Sequence, residues 1–271
     1  MNRLSFPFAV ILCLTLFSPI VAFGDAALNA PAQAALAAAI VDAKTRYENA
    51  KADRFAFSTR VETGDEDNPL IEFSFDPQRP ADAQYILLHP SEEENAKARK
   101  KMLKQRQKDL QKKAEKGEDV IPDRDLVIKG PEKLLNNSAH FEREEDQAFV
   151  FSFQPAPGSF DFGGDDGEDH EKKDEVKKNK GGNVFAFHLK GEMFISKDEQ
   201  RLTGVRFYAP KSFKPMAVAK IKHFEIMMDI APAWPDGPLV TTHQTVEVRG
   251  KALFKKFEQL TTVSNFGFEK R

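Results

Sequence analysis

The chain has 271 residues, with 40 lysine and arginine residues against 42 aspartate and glutamate residues and a formal net charge of −2. This near balance lacks the basic excess of proteins that bind a phosphate backbone, so no nucleic-acid partner is expected. The length suits one large domain or two small ones.

Residues 1–24 contain the three parts of a cleavable secretory signal peptide: a charged start, an apolar core and small residues before the cleavage site. Arg3 supplies the charge, and Ala22 and Gly24 occupy the −3 and −1 positions before Asp25. A retained membrane anchor is disfavoured because Pro19 interrupts the apolar run. The pattern predicts that residues 25–271 form a single exported domain.

Cys13 is the only cysteine, and it lies inside the predicted signal peptide. A lipoprotein signal needs a small residue just before its cysteine, whereas Leu12 stands there. We therefore predict a periplasmic protein that is not a lipoprotein and whose mature form has neither disulfides nor thiolate chemistry.

Residues 31–52 are rich in alanine, and Leu36, Ile40, Ala43 and Tyr47 recur at helical spacing. This pattern predicts an amphipathic helix with Asn29 as its cap. Residues 55–61 and 71–75 then alternate apolar and polar side chains around a turn-rich segment, which predicts a β-hairpin. A short apolar strand is predicted at residues 85–88.

Residues 91–117 predict a charged helical insertion that begins with a capping box, Ser91 and Glu94, and stops at Gly117. Residues 91–116 carry ten basic and five acidic side chains. Two interpretations stay open: a solvated surface helix, or a helix that contacts an envelope protein or an anionic membrane surface. A second helical piece is predicted at residues 131–136. Residues 156–183 have the acidic, glycine-rich composition of a disordered loop.

The C-terminal half predicts strands in series, joined by short polar loops, which is typical of an antiparallel meander. In the strand at residues 218–230, one face is predicted to carry Val218, Phe224, Ile226, Met228 and Ile230. Lys220 and Lys222 would interrupt that face near its start, and Ile221 would lie on the opposite one. The predicted strands cover residues 148–153, 184–189, 192–196, 202–209, 218–230, 239–249 and 253–265.

No catalytic signature is present: there is no nucleophile elbow, no phosphate-binding glycine loop and no zinc-protease motif. The six histidines are scattered singly, without the spacing of metal ligands. We therefore predict a protein that is not an enzyme and has no cofactor and no metal site. The proline-rich segment around Trp234 predicts either a rigid loop at the sheet edge or the lip of a cavity.

Phenylalanine dominates the aromatic content, with 24 Phe against 3 Tyr and 1 Trp. Because phenylalanine has no polar group to satisfy, this composition suits either a packed core or an apolar cavity. The candidate ligand-binding face consists of apolar side chains from three predicted strands: Phe55, Phe57, Ile71, Phe73, Phe75, Phe224, Ile226 and Met228.

The element order, a helix followed by a long meander, and the segments GKALF (250–254) and VSNF (263–266) resemble the lipoprotein-localisation factor (LolA/LolB-like) superfamily. More narrowly, the segments DPQRP (76–80), YILL (85–88), FKP (213–215) and VAKI (218–221) resemble an uncharacterised family of secreted proteobacterial proteins. The resemblance implies an α+β fold: a curved antiparallel sheet, or incomplete barrel, with helices covering its concave face.

Such a fold implies a non-catalytic binding protein that holds an acyl chain, a lipoprotein or another apolar ligand in a Phe-rich cavity. The alternative is an envelope interaction or sensing module. Its core would be filled by side chains, and residues 91–116 would dock the partner.

Overall fold

The computed structural model describes residues 29–64, 70–80, 83–115, 126–128, 130–131, 139–155, 187–216, 218–253 and 255–271. The predicted signal peptide (1–24) and acidic loop (156–183) lie outside the described residues, as does nearly all of the predicted helix at 131–136.

The predicted N-terminal helix is confirmed as α1, Ala30–Asn49, with Pro31 in its first turn. Asn29 occupies the N-cap position, but its side chain makes no capping hydrogen bond. The buried side of α1 consists mostly of alanine, so the helix backbone can approach the sheet closely. The buried residues are Ala32, Ala35, Leu36, Ala39 and Ala43.

The charged helix is confirmed as α2, Glu92–Glu115. The predicted capping box is present, since the Ser91 N–H donates to Glu94 Oε2 (2.7 Å) and the Glu94 N–H donates to Ser91 Oγ (3.2 Å). Asn95 has non-helical φ and ψ of −157° and 78°. Its Oδ1 accepts a hydrogen bond from the Ala98 N–H at 2.9 Å, so Asn95 caps the long regular part of α2.

The sheet contains eleven strands within the part of the chain that the structure describes. The short strand β8 was not predicted, and residues 187–189, the described end of the predicted strand at 184–189, are not strand. The strands are β1 Phe55–Thr63, β2 Leu70–Phe75, β3 Tyr85–His89, β4 His140–Glu144, β5 Ala148–Phe153, β6 Lys190–Ser196, β7 Leu202–Tyr208, β8 Phe213–Met216, β9 Ala219–Pro232, β10 Leu239–Ala252 and β11 Lys255–Lys270.

The predicted antiparallel sheet is confirmed. Its strand order is β3-β2-β1-β11-β10-β9-β7-β6-β5-β4, with β8 added to β9. The first and last of the described strands, β1 and β11, are neighbours in the sheet although they are far apart in the sequence. As described, β3 and β4 do not pair with each other, and the sheet is not closed into a barrel. Helix α1 packs against β6, β7 and β10, whereas α2 packs against β3.

The register defines one largely apolar face, called the inner face below. All eight residues predicted for the ligand-binding face lie on it, because side chains of direct partners point to the same side of a sheet. One row of direct partners on this face crosses the sheet from β4 to β2: Phe141, Phe151, Met193, Val205, Met228, Gln244, Val263, Val61 and Ile71.

A β-bulge in β9 corrects the predicted facing of its first residues. Arg249 pairs with His223 while Gly250 pairs with Ile221, so Lys222 is an extra residue without a partner. The extra residue reverses the alternation before it. Ile221 is therefore buried on the inner face, where Phe224 also lies, and the predictions that Ile221 faces outward and that Lys222 interrupts the apolar face are wrong.

A second bulge, in β11, turns Phe268 inward. Ser58 pairs with Phe266 and Ala56 with Glu269, so Gly267 and Phe268 together face one residue of β1. Gly267 has a φ of +67°, the left-handed conformation that glycine adopts without strain. Phe266 remains exposed on the outer face, whereas the Phe268 ring reaches the inner face.

Two clusters of buried side chains divide the inner face. The larger cluster lies beneath α1 and is centred on β5, β6, β7 and β9. The smaller cluster consists of Phe55 and Phe57 of β1, Phe75 of β2 and Val240 of β10, with Trp234 and Phe268 packed against it.

Candidate functional site

The central part of the inner face is filled. Phe224 and Ile226 are buried in the larger cluster, and Met228 packs against it. The alanine side of α1 covers this cluster directly. These three predicted ligand-face residues are therefore core residues in this structure.

The β1–β2 part of the inner face is an aromatic cluster. The Phe55 ring lies edge-on to Trp234, with centroids 5.8 Å apart, and 5.9 Å from the Phe268 ring. The Phe57 and Phe75 rings are 5.4 Å apart. Such contacts contribute beyond the burial of apolar area, about 0.5–1.5 kcal/mol each. Phe55, Phe57 and Phe75 are thus also packed against other side chains.

An apolar cavity of about 160 Å³ lies beyond this cluster, between β2, β3 and α2. Of the predicted ligand-face residues it includes Ile71 and Phe73. Leu103 is 46% exposed and the other lining residues are half-buried, so the cavity reaches the surface of the molecule. The lining residues are Ile71, Phe73, Tyr85, Leu87, Met102 and Leu103.

Four of the lining residues were not predicted, and the sequence carries a signal for two of them. Met102 and Leu103 are an adjacent apolar pair in a segment otherwise dominated by charged and amide side chains. Tyr85 and Leu87 belong to a continuous apolar run at 85–88, so the sequence does not separate them from Ile86 and Leu88.

Hydrogen bonds from side chains near the start of α2 hold this helix against β3, beside the cavity. Arg99 Nη1 donates to the carbonyl oxygens of Leu87 (2.7 Å) and Pro90 (3.0 Å). His89 Nδ1 lies 3.1 Å from Glu94 Oε2. The Ser91 backbone N–H, followed by the His89 ring, holds the pKa of Glu94 below its usual 4.5. The start of α2 is therefore fastened to the end of β3 at several points.

The outer face carries a line of ion pairs across four strands. Arg143 Nη1 donates to Glu192 Oε1 (2.8 Å), and Arg206 Nη1 to Glu192 Oε2 (3.4 Å). Arg206 also donates to both carboxylate oxygens of Glu225, at 3.1 and 2.9 Å. Glu192 is only 5% exposed, so this network compensates a carboxylate taken out of water. Its geometry is that of a structural clamp.

Glu192→Gln is expected to lower the free energy of unfolding at neutral pH by about 1–2 kcal/mol. Burial by itself raises the pKa of Glu192, but hydrogen bonds and charge from Arg143 and Arg206 outweigh it and hold the pKa below the usual 4.5. The carboxylate therefore stabilises the fold above pH 4.5, and this contribution is lost as the pH falls through the folded-state pKa.

Urea denaturation of the wild type and the Glu192→Gln variant across this pH range measures the effect. The difference between them should shrink on acidification. Glu62→Gln, at an exposed position of β1, is the matched control and should match the wild type at every pH. An equal loss in both variants would contradict the assignment.

Comparison of the chain with protein-family models, with curated proteins and with solved structures gives no match. In the described part of the chain, no group of three or more His, Cys, Asp or Glu side chains is arranged to hold a metal ion. Over the same residues, no helix combines the length and apolar character needed to cross a membrane.

Proposed function

We propose that this protein is a non-catalytic binding protein that holds an acyl chain or another apolar group in the cavity between β2, β3 and α2. The observation that carries the proposal is the lining, since all six lining residues are aliphatic or aromatic. Moving an apolar group from water into such a lining is favourable by about 0.8 kcal/mol per methylene.

The size of the cavity limits what it can hold. An engineered apolar cavity of about 150 Å³ stays dry and binds benzene, a six-carbon ligand. The 160 Å³ cavity is close to that size. It therefore suits the end of an acyl chain or a single apolar side chain, with the rest of a longer ligand lying across the exposed Leu103.

The proposed function includes a proposed fold family and a proposed location. An incomplete barrel of the LolA/LolB type, exported to the periplasm by the signal peptide and not anchored there, would carry a lipid or lipoprotein. The open antiparallel sheet with helices against its inner face supports this view. Because α1 covers the centre of that face, the ligand would bind at the β2–β3 end of the sheet, around Ile71 and Phe73.

A series of n-alkanols of increasing length tests the proposal on the folded protein. Affinity, measured by isothermal titration calorimetry, should rise about fourfold per methylene. The increase should stop near about six carbons, where the cavity is filled. Neutral alkanols are chosen so that the lysines of α2 do not contribute to binding.

Ile71→Trp should weaken binding more than about tenfold, because the indole would occupy the cavity, and a factor of ten is about 1.4 kcal/mol. Leu260→Trp is the matched control, since Leu260 is exposed on the outer face of β11, and it should bind like the wild type. The proposal fails if no alkanol binds, or if Ile71→Trp binds as tightly as Leu260→Trp.

A further inference from the structure

Helix α2 contains a stretch of one charge sign. From Ala96 to Lys108 the sequence has seven basic residues and no acidic one. A solvated helix typically alternates charges, so that neighbours one turn apart attract each other. This stretch instead places lysine beside lysine.

Five lysines of this stretch form a stripe, called the lysine stripe below: Lys97, Lys100, Lys101, Lys104 and Lys108. Positions 97, 101, 104 and 108 recur at intervals of four, three and four residues, which is one side of a helix. All five side chains are exposed. Met102, Leu103 and Arg99 face the cavity and β3, so the stripe lies on the side of α2 that points away from the sheet.

The lysine stripe differs from several cations of the sheet that are ion-paired. Arg60 contacts Glu72, Arg206 contacts Glu225, and Lys270 contacts Asp53 at 2.8 Å. Arg249 is also paired, with Glu247. None of the five lysines makes an ion pair with the residues that the structure describes. The five lysines of the stripe therefore lack, among the described residues, the acidic partners that these four sheet cations have.

The uncompensated charge has an energetic consequence. Lys97 and Lys101, Lys100 and Lys104, and Lys104 and Lys108 are like-charged pairs at the i,i+4 spacing, which destabilise a helix. An anionic surface placed against the stripe would remove this repulsion. The stripe is about 16 Å long, at about 1.5 Å per residue, so it can contact several charges at once.

We infer that the lysine stripe binds the surface of a lipid bilayer that contains anionic phospholipids. Lysine is a flexible point charge that suits a diffuse layer of headgroups, whereas specific anionic partners are usually held by the fork of arginine. The stripe contains no aromatic or aliphatic side chain that could anchor it in a protein partner. The binding is electrostatic and peripheral, with α2 lying along the surface.

This inference does not depend on the proposed function. A chain whose cavity is blocked by Ile71→Trp should still bind the bilayer, and a chain without the lysine stripe should still bind alkanols. Either hypothesis can therefore be contradicted by its own measurements without affecting the other.

Co-sedimentation with vesicles tests the inference. The folded protein should sediment with phosphatidylcholine vesicles that contain about a third phosphatidylglycerol, and not with pure phosphatidylcholine. Binding should be lost on raising NaCl from about 0.05 M to about 0.5 M, because salt screens exposed charges. The partition coefficient should fall about fivefold for each lysine removed.

The decisive comparison uses two variants of equal net charge. One replaces Lys97, Lys101, Lys104 and Lys108 with glutamine, which keeps the helix propensity. The other replaces four exposed lysines elsewhere: Lys44, Lys211, Lys214 and Lys251. Circular dichroism should show that both are folded. Only the first should lose binding. Three outcomes would overturn the inference: equal loss of binding in both variants, equal binding to neutral vesicles, or no binding to vesicles at all. The last outcome would leave an acidic protein as the remaining partner.

Discussion

Phe153→Ala is expected to lower the free energy of unfolding by about 3–5 kcal/mol, because it removes a fully packed aromatic ring from the larger cluster. Phe153 is 4% exposed, and its ring meets the Phe207 ring edge-on, with centroids 5.8 Å apart. Gly191 is the direct partner of both residues in β6, the strand between them. A glycine at this position lets the two rings meet across an intervening strand.

Gly191→Ala in the wild-type background should cost about 1–3 kcal/mol, because the added methyl group overpacks the cluster. Its Cβ would lie 2.3 Å from the Phe153 ring, so the ring must shift. In the Phe153→Ala background the same substitution should cost much less, and a double-mutant cycle by urea denaturation measures the difference. Gly64→Ala is the control, since its nearest contact would be an ordinary 3.9 Å. Additive effects of the two substitutions would contradict this packing.

The elements that could be predicted are those with a local signal. Helix α1 follows from alanine-rich helical spacing, β1 and β2 from strict alternation, and the start of α2 from Ser91 and Glu94 three residues apart. Each of these patterns is contained in a few consecutive residues. The antiparallel class of the sheet followed from short polar connections between strands.

The features that could not be predicted depend on distant residues or on irregular backbone. The pairing of β1 with β11 joins segments that are far apart in the sequence, and the residues of neither strand indicate which strand it pairs with. The bulge at Lys222 reverses the face of Ile221, and its trace in the sequence is the adjacent polar pair Lys222 and His223, which interrupts the alternation. A one-residue insertion of this kind changes every side chain before it.

The candidate site illustrates the same limit. Ile71 and Phe224 both belong to alternating apolar strands, and the pattern gives them equal weight as ligand contacts. A packed core and a cavity wall require the same residue types, so alternation alone cannot separate them. The difference comes from what surrounds each residue: the larger cluster, which includes the alanine side of α1, around Phe224, and Met102 and Leu103 of α2 beside Ile71.

The attachment of α1 to the rest of the molecule depends strongly on one side chain. Arg46 Nε donates to Asp42 Oδ1 (2.8 Å), and Arg46 Nη1 donates to the carbonyl oxygens of Pro235 and Gly237 (both 3.0 Å). The Arg46 side chain is 14% exposed, so water replaces these bonds poorly. Arg46 thus ties the last turns of α1 to the loop that carries Trp234.

Arg46→Met is expected to lower the free energy of unfolding by about 2–3 kcal/mol, since hydrogen bonds to charged groups contribute about 1.5–3 kcal/mol. It should also shift the emission of Trp234, the only tryptophan, to longer wavelength as the loop loosens and the ring gains contact with water. Urea denaturation followed by fluorescence measures both effects. Arg79→Met, at a side chain 49% exposed in a turn, should change neither. Because α1 packs onto a filled core, Arg46→Met should gain no binding of alkanols beyond the six-carbon limit expected for the wild type. New binding of longer alkanols by this variant would contradict a filled core beneath α1.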